Sequence, residues 1–121
     1  MRLGKRRSVR CRDEGMATAE LAACLPVLVL LLAVALSAVS VGSVRVRAQD
    51  AAREAARAAA RGDRATALAM ARAAAPGAQV RISIAGGEVT AVATVREHLP
   101  VPFLPLVTVS ERAVAAREPP P

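Results

Sequence analysis

The sequence predicts an α+β fold built from one long N-terminal transmembrane helix, an alanine-rich helical stem and a small antiparallel sheet of about three strands. Three observations predict it. Residues 21–44 carry no charge, residues 45–77 are alanine-rich with interspersed Arg and Glu, and residues 79–95 alternate polar and apolar side chains around a Gly-Gly pair. The expected boundaries are 1–15 for a basic leader, 16–44 for the transmembrane helix, 45–77 for the stem, 78–116 for the β head and 117–121 for a disordered tail.

Composition narrows the class further. The 121 residues are 54% hydrophobic but only 1% aromatic, with Phe103 as the single ring and no Trp or Tyr. Soluble domains of this size bury large apolar side chains, and alanine buries too little area to replace them. Long uncharged apolar stretches equally exclude a disordered chain. The apolar residues must therefore be concentrated in one place.

They lie between Leu21 and Val44, in the run LAACLPVLVLLLAVALSAVSVGSV. A helix of that length spans roughly 36 Å, against about 30 Å of hydrocarbon in a bilayer. The run is apolar on every side, which suits a helix surrounded by lipid. Pro26 lies near the start of the run, where a missing N–H costs least.

The flanking charges set the expected orientation. Residues 1–15 hold six basic residues (Arg2, Lys5, Arg6, Arg7, Arg10 and Arg12) against Asp13 and Glu14, while only Arg45 and Arg47 follow the run closely. Basic residues are retained in the cytoplasm, so the N-terminus is expected inside and the C-terminus outside. Of the +7 net charge, +4 belongs to this leader; residues 16–121 hold eleven basic and eight acidic residues. Most of the positive charge reads as topology, which disfavours nucleic acid as a partner.

Glu20 stands directly before the run, five residues after Gly15. Favourable charge at a helix N-terminus is the plain explanation for a carboxylate there. A second one comes from the whole stretch EGMATAELAACLPVLVLLLAVAL: a short basic leader ending in Gly, four residues, Glu, then a long apolar helix. In this it resembles type IV prepilins, and more particularly the minor pilins and pseudopilins of the TadE family from tight-adherence (Tad) pilus systems.

The resemblance implies a pilin-like fold and a pilus-assembly role. It implies that Gly15 ends a leader read by a membrane prepilin peptidase, that Met16 becomes the mature N-terminus, and that Glu20 pairs with the terminal amine of a neighbouring subunit. It implies as partners the prepilin peptidase, other pilin or pseudopilin subunits, the Tad membrane machinery and the lipid bilayer. Small Flp major pilins usually follow this glutamate with tyrosine; here Leu21 follows it, which fits the minor-pilin branch.

Other targeting signals compete. Leu21-Ala22-Ala23-Cys24 has the letters of a lipoprotein box but precedes the apolar region it should follow. Ala35-Leu36-Ser37 and Ala38-Val39-Ser40 could end a secretory signal, although twenty residues with three acids make a poor n-region. Cys11 falls in the leader and Cys24 in the span, so the exported part has no cysteine and no disulfide framework.

After the span, residues 45–77 have a strongly helix-forming composition. The first helix is expected to continue to about Arg61; Gly62-Asp63 then interrupts it, with Asp63 as N-cap of a second helix ending at Pro76-Gly77. Arg53, Arg57, Arg61 and Arg64 form a basic stripe at spacings of four, four and three, with Glu54 placed to pair with Arg57. A solvated face is the plain reading of this stripe; contact with acidic headgroups, a partner subunit or nucleic acid captured outside the cell is the functional one. The alanine-lined face opposite permits close helix–helix approach, as a pilus core or a bundle needs.

In the last third, Gln79–Ile84 and Glu88–Val95 alternate around Gly86-Gly87, a hairpin pattern. Residues 98–105 read as a proline-punctuated loop and Leu106–Val114 as a third strand. No catalytic or metal-ligating constellation accompanies the lone His98, Ser83, Ser110, Glu97 or Glu111, and Gly86-Gly87 does not open a helix as a phosphate loop would. No enzyme activity, cofactor or metal is therefore expected. Beside a processed pilus subunit, two readings stay open: an unprocessed membrane-anchored binding module outside the cytoplasm, and a small secreted domain.

Overall fold

A computed structural model of the chain describes residues 10–102 and 104–119, with side chains described from Gly15 onward. The leader expected over residues 1–15 lies largely outside the described residues, as do Phe103 and the last two residues of the tail. The chain divides into two units, residues 1–35 and 36–121. The elements are α1 (Arg10–Ala60), α2 (Arg64–Ala74), β1 (Gln79–Ala85), β2 (Glu88–Glu97) and β3 (Val107–Ala116). This is the α+β arrangement the sequence predicts.

In the first unit the described residues are helical, and from Gly15 onward their side chains are exposed except for the half-buried Ala33. Pro26 is not near the helix start, because α1 already begins at Arg10. It sits in the helix interior and leaves the carbonyl one turn back without its usual donor. Such a position is tolerated in membrane helices, where local adjustments satisfy the freed carbonyl.

In the second unit, residues 44–60 of α1 present a continuous small-residue face. Val44, Ala48, Ala51, Ala52, Ala55, Ala58 and Ala59 are all buried, at the three-and-four spacing of one helix side. They share a core with Ala67 and Ala71 of α2 and with Ile82, Val89, Ala91, Ala93 and Val95 of the sheet. The alanine face expected to permit close helix approach in a pilus core or a bundle is packed against this chain's own head. The largest fully buried side chains are only Val44 and Val89, so short side chains make this core.

Helix α1 ends for a visible reason. Gly62 adopts φ +86°, and its N–H donates to the Ala59 carbonyl at 3.0 Å while the Asp63 N–H donates to Ala58 at 3.3 Å. That pair of bonds is a Schellman termination, which needs a left-handed residue and favours glycine. Asp63 then caps α2: its carboxylate accepts from the Thr66 N–H at 2.9 Å and from the Thr66 hydroxyl. These bonds, the hydroxyl's first, hold the Asp63 carboxyl below its ordinary pKa.

The sheet is antiparallel in the order β1-β2-β3. Gly86 and Gly87, at φ +60° and +83°, make the two-residue turn whose twist suits a hairpin. The register places Ile82 beside Ala91 and Val95 beside Val109. These inward positions alternate with an outward set that includes Arg81, Thr90, Arg96 and Arg112, three of them exposed and Thr90 half-buried.

The tail expected to be disordered from residue 117 is instead held at its start. The Arg117 N–H donates to the Gly87 carbonyl at 2.9 Å, and the Glu118 N–H donates to the Ala60 carbonyl at 3.1 Å. Ala60 ends α1, and a last-turn carbonyl has no donor within its own helix. The tail supplies that donor.

Candidate functional site

The three residues singled out near the N-terminal end of the apolar run all lie on α1. Gly15 and Met16 are helical and exposed, and a Cβ built on Gly15 would meet nothing within 4 Å. The fold therefore places no packing demand for glycine at position 15, and helix propensity favours alanine there by about 0.5–1 kcal/mol. Glu20 is exposed on the same helix, one turn before Cys24, with Ala17 and Leu21 beside it. Among the described residues it has neither a hydrogen-bond nor an ion-pair partner.

Beyond Glu20 the helix surface is apolar and uncovered. Leu25, Leu28, Leu31 and Leu32 are each 60% exposed, and Val27, Val29 and Leu30 differ little. Water around so many large aliphatic side chains is strongly unfavourable at about 25 cal/mol per Å². By length and composition this helix can cross a membrane. Lipid resolves the cost that water imposes.

The arginine stripe divides on the structure. Arg53 and Arg57 share a face of α1, with Arg57 Nη1 3.8 Å from Glu54 Oε1. Arg61 stands in the turn after α1 ends and Arg64 opens α2. All four are exposed, but a helical period relates only those within α1.

Two other arginines have a role that sequence reasoning missed. Arg45 Nε lies 2.7 Å from Glu111 Oε1 on β3, and Arg47 Nη2 lies 3.5 Å from Glu97 Oε2 at the end of β2. Read from the sequence, Arg45 and Arg47 mattered only as charges flanking the span. The available signal was in the strands: Glu97 continues the inward set Val89, Ala91, Ala93 and Val95, and Glu111 continues Val107 and Val109. A carboxylate at an inward position requires a partner.

The fold and these surfaces define a class: a small α+β head on an apolar N-terminal helix that fits single-pass membrane anchoring. A family model described as "TadE-like protein" matches residues 15–57, beginning at Gly15 and ending within the alanine-rich part of α1. A protein of Mycobacterium tuberculosis named apoptosis inhibitor Rv3655c is 42% identical over 101 residues, covering 83% of this chain and 78% of that relative. No solved structure matches. The chain belongs to the TadE-like family, which associates it with Tad pilus machinery.

Proposed function

We propose that the chain is a minor pilin or pseudopilin, made as a precursor with its N-terminus in the cytoplasm and its head on the other side of the membrane. A prepilin peptidase cuts between Gly15 and Met16, and the apolar helix holds the subunit in the bilayer until assembly. The role is structural, with no catalytic step and no cofactor. The observation that carries the reading is Glu20, an exposed carboxylate with no partner among the described residues, beside a charge-free run of 24 residues. A carboxylate at the edge of a hydrocarbon layer is costly, and an ammonium group offsets that cost. Cleavage after Gly15 creates one at Met16 of each neighbouring subunit, so processing and register share one chemistry.

Glycine at position 15 supports the same reading. Because the fold does not require it, a requirement for it comes from whatever reads the segment. In α1 the Gly15–Met16 bond is helical, so a peptidase must unwind this turn to reach it, and glycine lowers the cost of unwinding. Intact mass and N-terminal sequencing of the membrane-associated protein test the proposal. A chain starting at Met16 supports it. A start at Met1 favours an unprocessed anchored module, and a start at Ala38 or Val41 favours secretion.

A further inference from the structure

Within residues 36–121 the sheet is fastened to α1 at two levels. At one, the Glu118 N–H meets the Ala60 carbonyl and the Arg117 N–H meets Gly87, so the β1–β2 turn lies near the end of α1. At the other, Glu97 and Glu111 meet Arg47 and Arg45. Strands β2 and β3 thus run alongside the helix, and Glu97 pairs with Val107 at the end nearest Arg47. The loop joining them, residues 98–106, leaves the sheet at that end. It is the end where the charge-free run stops, because Arg45 is the first charged residue after Val44.

The loop suits that position. Its nine residues, HLPVPFLPL, contain no acidic residue and no Lys or Arg; five are large and apolar, and three are proline. Leu104 is 47% and Leu106 42% exposed, on a head whose core is mostly alanine and valine. Prolines lack the backbone N–H that is costly to bring unpaired into a low-dielectric layer. A loop at the tip of a water-facing domain gains nothing from this composition.

The helix beside it shows how far burial extends. Ser37 is 8% exposed although its neighbours Leu36 and Val39 are 52% and 71% exposed. Ser37, Val41 and Val44 lie on one helix side, continuous with Ala48 and Ala51. Burial on this side of α1 therefore extends seven residues, roughly 10 Å, into the apolar run. Beyond Glu97 and Val107, the part of the head that reaches in this direction is the loop.

We propose that this loop, through its described residues 98–102 and 104–106, forms a second membrane contact, with Leu104 and Leu106 entering the bilayer leaflet at the Val44 end of the span. The head then rests against the membrane it is anchored in. The inference rests on the reading of residues 21–44 as a membrane span, and does not depend on cleavage at Gly15.

Because the chain has no Trp or Tyr, one introduced Trp is its only indole emitter. Full-length Leu104→Trp, Leu30→Trp and Val114→Trp proteins, reconstituted in phosphatidylcholine vesicles with or without brominated acyl chains, provide the test. The expected result is blue-shifted emission, quenched by lipid brominated near the headgroup, for Leu104→Trp. Leu30→Trp is expected to be quenched by deep bromines, and Val114→Trp, on the outward sheet face, to stay red and unquenched. Leu106→Trp repeats the readout, so that a local folding defect at one position does not decide it. Red, unquenched emission at both loop positions with Leu30→Trp quenched overturns the loop contact alone. Blue but unquenched emission there also overturns it, since protein then covers the loop. An unquenched Leu30→Trp removes the span itself, and the loop contact with it.

Discussion

The guanidinium of Arg45, the first charged residue after the apolar run, donates from Nε to the Glu111 carboxylate on β3 at 2.7 Å. The Arg45 side chain is 72% exposed, while that of Glu111 is only 19% exposed. The bond therefore joins a solvated cation to a half-sheltered anion, and the two ends respond differently to loss of the partner.

Arg45→Ala leaves the Glu111 carboxylate sheltered and unpaired, whereas Glu111→Gln removes the charge that needed a partner. Screening limits an exposed pair to about 0.2–1 kcal/mol. Urea unfolding of the head is expected to show losses in that range, larger for Arg45→Ala than for Glu111→Gln. Equal losses would mean that Glu111 gains nothing specific from the bond.

The alanine core makes a second prediction. Ala55 is fully buried, in a core whose bulkiest fully buried side chain is valine. Ala55→Leu is expected to cost about 1–3 kcal/mol through overpacking. Ala73, exposed on α2, is the comparison: Ala73→Leu is expected to change stability by less than about 0.5 kcal/mol. A well-tolerated Ala55→Leu would show that sheet and helix are not closely apposed.

Asp63 titrates with a definite sign. Thr66 holds its folded-state pKa below the unfolded value, so its stabilisation is fully present above the unfolded carboxylate pKa, about 3.9. It is lost as pH falls through the lowered folded value. Asp63→Asn keeps a capping acceptor and is expected to remove this part of the acid dependence while retaining α2; Asp63→Ala is expected to lose helix at neutral pH as well. Circular dichroism followed from neutral pH into the acid range reads both effects.

How much of this was legible before the structure depends on whether the signal was local. The alternation in Gln79–Ile84 and Glu88–Val95 announces strands because a strand's period is two residues. Gly62-Asp63 announces a helix stop and a new cap because both events are settled within four residues. The Arg45–Glu111 and Arg47–Glu97 pairs span 66 and 50 residues, and no local period carries them. The same holds for the tail: nothing around Glu118 indicates that its N–H meets Ala60. Alanine at helical spacing is equally silent about whether its partner is another subunit or the chain's own sheet. At the proposed processing site, Gly15, Met16 and Glu20 were visible as a motif, and the structure adds that Gly15 has open space and Glu20 no partner among the described residues.

If Glu20 is the assembly contact, removing its charge leaves processing intact and weakens association. Glu20→Gln is expected to yield a normally processed chain that co-purifies less with other pilus subunits. An Asp at position 20 recovers part of the association. Unchanged co-purification for Glu20→Gln would assign the register to other residues.

The most direct measurement is the mass of a Gly15→Ala chain produced beside a prepilin peptidase and compared with the wild type. Position 15 has open space around it and alanine favours the helix, so the variant folds and inserts normally. The account predicts that the wild type begins at Met16 while Gly15→Ala retains its leader. A variant trimmed to Met16 as fully as the wild type, or a wild type that keeps Met1, contradicts it.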